Sequence, residues 1–344
     1  MRDFKKAIFS TLTVVLLAGL LSVLIVSVNP KNPDARVRDE LAGKIDCVIV
    51  GASQAQFAFD TRELDNGLGC SSYNLSYDAY STREKEYVLQ EELGRNHIDT
   101  VIVELSYDTM KRGDVIEFTK ANAFTILRMG SLWDRMEYFV KYVNLENKLL
   151  VGAQWMYESL KEKFLGTVPL DPMTIDLKGT RLMTTVDHSI PDAEVADAYN
   201  KDSFSFDEYN QDTINKMADL IAYCKENCAN VYVVVVPVSD HFIWSTDDLD
   251  LFEDWARTYC DDLGVPFFDF NLLRSRYTLF NDKDCYSTDY HHMSEKGAKI
   301  FSQEFARLIK LYRSGSDITD YFYPSYEEAK KDSPYWRTYS ETAP

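Results

Sequence analysis

A chain of 344 residues, 45% hydrophobic, 13% aromatic and 27% charged, is long enough for one large domain or two modest ones. Its composition is that of a folded globular protein, which excludes bulk disorder and the collagen-like and disulfide-scaffold classes. A formal charge of −18, with no Lys/Arg cluster to reverse the field locally, excludes nucleic acid as a partner.

The chain opens with Arg2, Asp3, Lys5 and Lys6, followed by 22 residues, Ala7 to Val28, without a charge. As a helix that run reaches about 33 Å, close to the hydrocarbon thickness of a bilayer. A secretory signal peptide has a shorter apolar region and a small-x-small cleavage site. Asn29-Pro30-Lys31-Asn32-Pro33 offers no such site, so residues 7–28 are expected to be an uncleaved transmembrane anchor. The positive-inside bias keeps the N-terminus cytoplasmic and the remaining chain extracytoplasmic.

A polar stem over 29–44 leads into α/β punctuation, in which short β-branched runs alternate with helical segments. Strands are expected at Ile45–Val50, Ser72–Leu75, Thr100–Leu105, Val231–Val236 and Pro266–Phe270. Helices are expected at Gln54–Leu68 (closed by Gly69), Thr82–Gly94, Phe206–Glu226, Asp247–Leu263 and Ser294–Tyr312. Strand, helix, strand, helix, strand is the opening of a parallel sheet. Between about 108 and 202 the periodicity loosens, with Trp133, Tyr138, Phe139, Tyr142, Leu149 and Trp155 set among Lys, Glu and Asn. This reads as a partly helical insertion, either a substrate-facing lid or a packing elaboration. Residues 314–344 form an arm over the surface or a loose tail. The α/β domain therefore spans about 45–313.

Six cysteines (47, 70, 224, 228, 260 and 285) are too few to be the framework of so long a chain. Their even number and expected compartment permit disulfides, whose pairing the sequence does not give. Cys224 and Cys228 lack both the C-x-x-C redox spacing and a second ligand pair for zinc, and read as two half-buried thiols on one helix face. No phosphate loop or metal cage is visible, so no cofactor is expected.

Two segments carry chemistry. Ser53, in VIVGASQAQ, follows the first strand, so its hydroxyl emerges at the carboxyl edge of the sheet beside free helix N–H groups that stabilise an oxyanion. Taken alone it fits a plain N-cap equally well. In CYSTDYHHMSEKGA, residues 285–298, Asp289 stands three residues before His292. A carboxylate at that spacing orients an imidazole and stabilises the imidazolium once it forms. These ends lie about 240 residues apart yet become neighbours in a doubly wound sheet.

Together the two blocks resemble the SGNH (GDSL-type) hydrolase superfamily. The resemblance implies a flavodoxin-like parallel sheet with helices on both faces, Ser53 as nucleophile, His292 as general base and Asp289 as its orienter. The family's middle blocks are absent. Where a Gly and the Asn of a G-x-N-D turn would complete the oxyanion hole, this chain reads Asn74-Leu75-Ser76-Tyr77 and Glu104-Leu105-Ser106-Tyr107. The donors expected instead are the Ser53 N–H, an N–H near Ser76 and the Asn74 side chain.

This departure, joined to an N-terminal membrane helix, resembles the branch containing the D-alanyl transfer protein of teichoic acids and the alginate O-acetylation proteins. The branch implies an acyltransferase or esterase acting on O-acyl groups of a cell-envelope polysaccharide or polymer, partnered by a multi-span membrane-bound O-acyltransferase. The missing turn also admits a catalytically silent module that binds polymer or scaffolds such a transferase. Arg83, at the start of the second helix, is a candidate for binding an anionic substrate group, and His291 is either a substrate contact or only the neighbour of the base. Ser239-Asp240-His241, at another strand's carboxyl end, lines the pocket or forms a turn.

Overall fold

In the computed structural model the described residues are 2–27, 33–77, 80–111, 119–165, 178–183, 202–203, 205, 209–281, 284–287 and 291–334. They form two compact units, one of Met1–Glu40 with Ile116–Asp171 and one of Leu41–Val115 with Pro172–Pro344.

The second unit is built on five parallel strands: β1 (Cys47–Val50), β2 (Ser72–Asn74), β3 (Thr100–Glu104), β4 (Asn230–Val235) and β5 (Phe267–Asp269). Their order is β2-β1-β3-β4-β5, the flavodoxin-like order expected from the sequence. Register aligns Ile49 with Ile102, Ile102 with Tyr232, and Val234 with Phe268. Alternation therefore sends these residues to one face, where they join Phe59, Leu64, Phe301 and Phe305 in a continuous core. The intervening Val48, Val50, Val101, Val103, Val231, Val233 and Phe267 are buried on the opposite face. A sheet covered on both sides explains the unbroken apolar runs CVIV and VYVVV.

Helices α3 (Ser53–Ala58) and α4 (Thr61–Leu68) follow β1, and α5 (Thr82–Leu93) follows β2. The single helix expected over 54–68 is thus two. The chain breaks at Phe59-Asp60, where the Asp60 carboxylate caps α4 through the Arg62 N–H at 3.0 Å and the Asp60 N–H reaches Ser302 Oγ at 2.8 Å. Gly69 closes α4 in the left-handed conformation, as its position suggested. Ser81 and Glu84 form a capping box on α5.

In the same unit α6 (Tyr107–Lys111) follows β3. The first unit holds α1 (Arg2–Ser27), α2 (Pro33–Glu40), α7 (Thr119–Arg128), α8 (Leu132–Lys141) and α9 (Lys148–Leu165). Helix α2 lies within the segment read as a polar stem. The side chains described on α1 between Ile8 and Leu20 are exposed and mostly apolar. Among the described residues no helix is long and apolar enough to cross a membrane; side chains 21–27, which complete the apolar run, lie outside that set.

The second unit continues with α10 (Gln211–Asn227), α11 (Asp240–Ser245), α12 (Leu249–Leu263), α13 (Arg276–Leu279), α14 (Glu295–Arg313) and α15 (Tyr326–Asp332). α14 packs on α3 and α4, while α10 packs on α5 and α12. Of the two alternatives for residues 314–344, the described part, through residue 334, is an arm on the surface: Tyr326 Oη donates to Asp269 Oδ2 at 2.6 Å and Tyr277 Oη donates to the Ala329 carbonyl at 2.6 Å.

Candidate active site

The site grows from the β1–α3 turn. An added Cβ on Gly51 would lie 2.5 Å from Ala55 Cβ and 2.8 Å from Glu104 Cβ, so only glycine lets strand, turn and helix pass this closely. Ala52, the N-cap residue, is extended and gives no side-chain cap. The first-turn N–H groups of α3 therefore have no capping side chain competing for them. Ser53 opens the helix, half-buried.

His292 arrives from the other end of the chain. Tyr286 and Met293 form an antiparallel bridge, and the Ser287 N–H donates to the His292 carbonyl at 2.8 Å, which closes a tight loop. Ser294 anchors it, donating its N–H to the Cys285 carbonyl at 3.0 Å and capping α14 through the Gly297 N–H at 3.2 Å. Gly297 is obligatory here, because a Cβ would stand 2.1 Å from the Cys285 carbonyl oxygen. Met183, within the segment read as an insertion, pairs with Ser294 and receives the Glu295 N–H at 2.8 Å.

These supports place His292 Nε2 at 2.8 Å from Ser53 Oγ across 239 residues of sequence. The imidazole packs edge-on against buried Phe57, with ring centroids 4.8 Å apart. Asp289 lies outside the described residues. Cys285, in the same loop, is no competing nucleophile: burial pushes its thiol up to about 11, so it stays protonated near neutrality.

The other expected residues are placed differently. Asn74 Nδ2 donates to the Ala55 carbonyl at 3.0 Å and to Thr180 Oγ1 at 3.4 Å, while its Oδ1 accepts the Ser76 N–H at 3.0 Å. Both are fully buried. The Asn74 amide is thus committed to tying β2 to α3, and the Ser76 N–H to a local bond with Asn74 Oδ1, because a buried amide without partners is costly. The Ser53 N–H remains of the expected donors. Arg83 is half-buried and acts on Asp212, whose carboxyl is held below its ordinary value first by Lys216 and in smaller part by Arg83. His291 packs edge-on against Phe242 at 5.1 Å, and its ring centre is 5.9 Å from that of His292. Asp240 accepts from Arg276 at 2.9 Å and from Ser333 Oγ at 2.8 Å, so it serves the docked C-terminal arm.

Several neighbours of the site went unread in the sequence. The fully buried Glu104 carboxylate accepts the Ala52 N–H at 2.9 Å, and buried Lys85 stands 3.6 Å from the same oxygen. A charged residue inside an otherwise apolar strand was the available signal, since a buried carboxylate demands a partner. Arg181 stacks over Phe57 at 5.6 Å. Gln54, beside Ser53, lines a small cavity of about 20 Å³ with Ser106, Tyr107, Phe242, Phe252 and Tyr326.

No family model matches the chain, and no curated protein matches it in sequence. Among solved structures it is similar to a Bacteroides fragilis protein assigned as an acylhydrolase (11% identity, TM-score 0.39, 81% of this chain and 94% of that one). It is also similar to a catalytic variant of an acetylxylan esterase from Geobacillus stearothermophilus (10% identity, TM-score 0.37, 78% and 95%). A third is an alpha/beta hydrolase enzyme from the metagenome of Lake Arreo, Spain (10% identity, TM-score 0.36, 80% and 96%). Likeness at this level lies in the course of the chain, so the functional reading rests on the atoms of the site.

Proposed function

We propose that this chain is a serine esterase or acyltransferase of the SGNH type that works through an acyl-Ser53 intermediate. The observation that carries the reading is the 2.8 Å approach of His292 Nε2 to Ser53 Oγ at the carboxyl end of β1. As Ser53 Oγ attacks an ester carbonyl, its proton passes to His292 Nε2, and the oxyanion faces the uncapped first turn of α3. The imidazolium then protonates the departing alkoxide. Water or an acceptor hydroxyl gives its proton to His292 and takes the acyl group, and the imidazolium returns that proton to Ser53 Oγ, which regenerates Ser53 and His292. Asp289 holds the imidazole with Nδ1 protonated, leaving Nε2 as the base.

The proposal extends to an anchor at residues 7–28, with the acyl chemistry in the extracytoplasmic space on O-acyl groups of an envelope glycan or polymer. The charge-free run and the exposed apolar side chains of α1 support the anchor. The acidic net charge favours a neutral polysaccharide over a polyphosphate. A membrane-bound O-acyltransferase is the corresponding acyl-donating partner.

Labelling the full-length protein with a fluorophosphonate tests the nucleophile. A Ser53 adduct that disappears in Ser53→Ala and falls by about 10³-fold or more in His292→Ala is expected, and an adduct unchanged in Ser53→Ala would overturn the assignment. The engagement of Asn74 and Ser76 favours one second reading, a silent module. Under it, Ser53→Ala and His292→Ala leave cellular polymer acylation intact while loss of the whole chain abolishes it. Retention of the protein in membranes through alkaline carbonate washing, and its release when residues 1–28 are removed, is the expected behaviour of the anchor.

A further inference from the structure

We propose that Lys85 and Glu104 are positioning residues for Ser53: a buried, charge-balanced pair that holds the Gly51-Ala52-Ser53 turn while keeping net negative charge away from the forming oxyanion. The inference rests on Ser53 being the nucleophile.

Three elements meet at this pair. Glu104 ends β3, Lys85 comes from α5, and Ala52 is the residue before Ser53. Both charged side chains are fully buried. Glu104 Oε2 accepts the Ala52 N–H at 2.9 Å and lies 3.6 Å from Lys85 Nζ. The carboxylate sits flush against the turn, since a Cβ on Gly51 would fall 2.9 Å from that same oxygen. Its second oxygen, Oε1, is buried with no hydrogen-bond partner among the described residues.

Stability alone is a poor reason for such a pair. Removing two charges from water costs more than an apolar pair of similar volume, and one carboxylate oxygen here is left unsatisfied. The pair supplies two things that Leu and Met cannot. It accepts the Ala52 N–H, fixing the peptide that leads into Ser53. It also cancels its own charge close to where the substrate carbonyl oxygen becomes negative. Lys85 is the balancing half: without it, the Glu104 carboxylate would oppose the transition state in a site of low effective dielectric.

The test uses the full-length protein, p-nitrophenyl acetate as probe ester, and fluorophosphonate labelling of Ser53. Lys85→Met is expected to lower kcat on the order of 10- to 100-fold with little change in KM. The double variant Lys85→Met/Glu104→Gln is expected to recover most of that loss, because a neutral carboxamide oxygen still accepts the Ala52 N–H. Lys85→Met/Glu104→Leu is equally neutral but lacks the acceptor and is expected to stay impaired. If Lys85→Met fails to fold, the two double variants decide: the Gln form should exceed the Leu form by about 10-fold. Neutralising both members of a purely structural pair restores stability without selecting kcat, so a Gln double variant no better in kcat than Lys85→Met, or than the Leu double variant, overturns the proposal. Ser53 labelling that is indifferent to every change at Lys85 and Glu104 overturns the pair alone. Absence of any Ser53 adduct on the wild-type protein overturns the nucleophile reading and this proposal with it.

Discussion

Glu104 and Asp269 are buried carboxylates at the carboxyl ends of parallel strands, β3 and β5, yet their surroundings give them different work. Glu104 has a cation and a backbone N–H on one oxygen. Asp269 accepts the Asn271 N–H at 2.9 Å and Tyr326 Oη at 2.6 Å, but the nearby Arg276 is engaged with Asp240 and another buried acid, Glu253, stands close. Burial pushes Asp269 up to about 6, against the pull of Tyr326, Asn271 and Arg276. Burial, then the charge of Asp269, pushes Glu253 up to about 8, against the pull of Arg257. The comparison teaches that a strand end gathers polar groups and that the partner sets their use. A paired charge can brace a turn, while of two crowded acids Glu253 is pushed up to about 8 and Asp269 accepts from Tyr326 to hold down an arm.

The strongest challenge to this division is Gly51→Ala. The new methyl group must push against Ala55 and Glu104, an overpacking that costs about 1–3 kcal/mol, and Ser53 labelling should fall with stability. Thermal unfolding together with labelling checks it, and a fully labelled, fully stable variant would refute the tight-turn account. Tyr326→Phe removes the hydroxyl that bonds Asp269 and keeps the ring that lines the small cavity beside Gln54. Loss of its bond to Asp269 is expected to cost about 1–2 kcal/mol and to expose residues 314–334 to limited proteolysis. Ser53 labelling should stay as in wild type; a large drop would show that the two clusters are not separable.

The smallest effect sharpens the electrostatic side. The folded chain binds the Glu253 proton more tightly than the unfolded chain, whose value is near 4.5. That contribution is fully present below about 4.5 and is lost as pH rises through about 8. Melting temperature should therefore fall between about pH 6 and pH 8.5, and Glu253→Gln should flatten the slope by on the order of 1 kcal/mol. A wild-type midpoint that climbs over this interval would contradict the raised carboxyl.

Much of the fold was legible because strand signals here are strong. CVIV, TVIVE and VYVVV are apolar runs bounded by turn residues, and each lies within a residue or two of its expected place. The approach of Ser53 to His292 was legible for a topological reason, since the ends of β1 and the loop before α14 meet at one sheet edge. The break between α3 and α4 was not, because Phe59-Asp60 keeps the helical hydrophobic spacing, and what marks the stop is the Asp60 cap on the Arg62 N–H together with the bond from Asp60 to Ser302, 242 residues away. Asn74 was misjudged for the same reason: its side chain is consumed by Ala55, Thr180 and Ser76, and a partner from 106 residues downstream leaves no local trace. Lys85 hides on an ordinary-looking helix, where only the fold reveals that it faces inward.

Tyr326 belongs both to the latch on Asp269 and to the lining of the small cavity beside Gln54. Tyr326 therefore shares a small cavity with Gln54, the residue next to Ser53. Ribosomal synthesis makes Tyr326 after Ser53 and His292, so a nascent chain holds both before it holds this part of the cavity lining. A stop codon between His292 and Tyr326 would leave a chain that keeps Ser53 and His292 but lacks the Tyr326 part of the cavity lining.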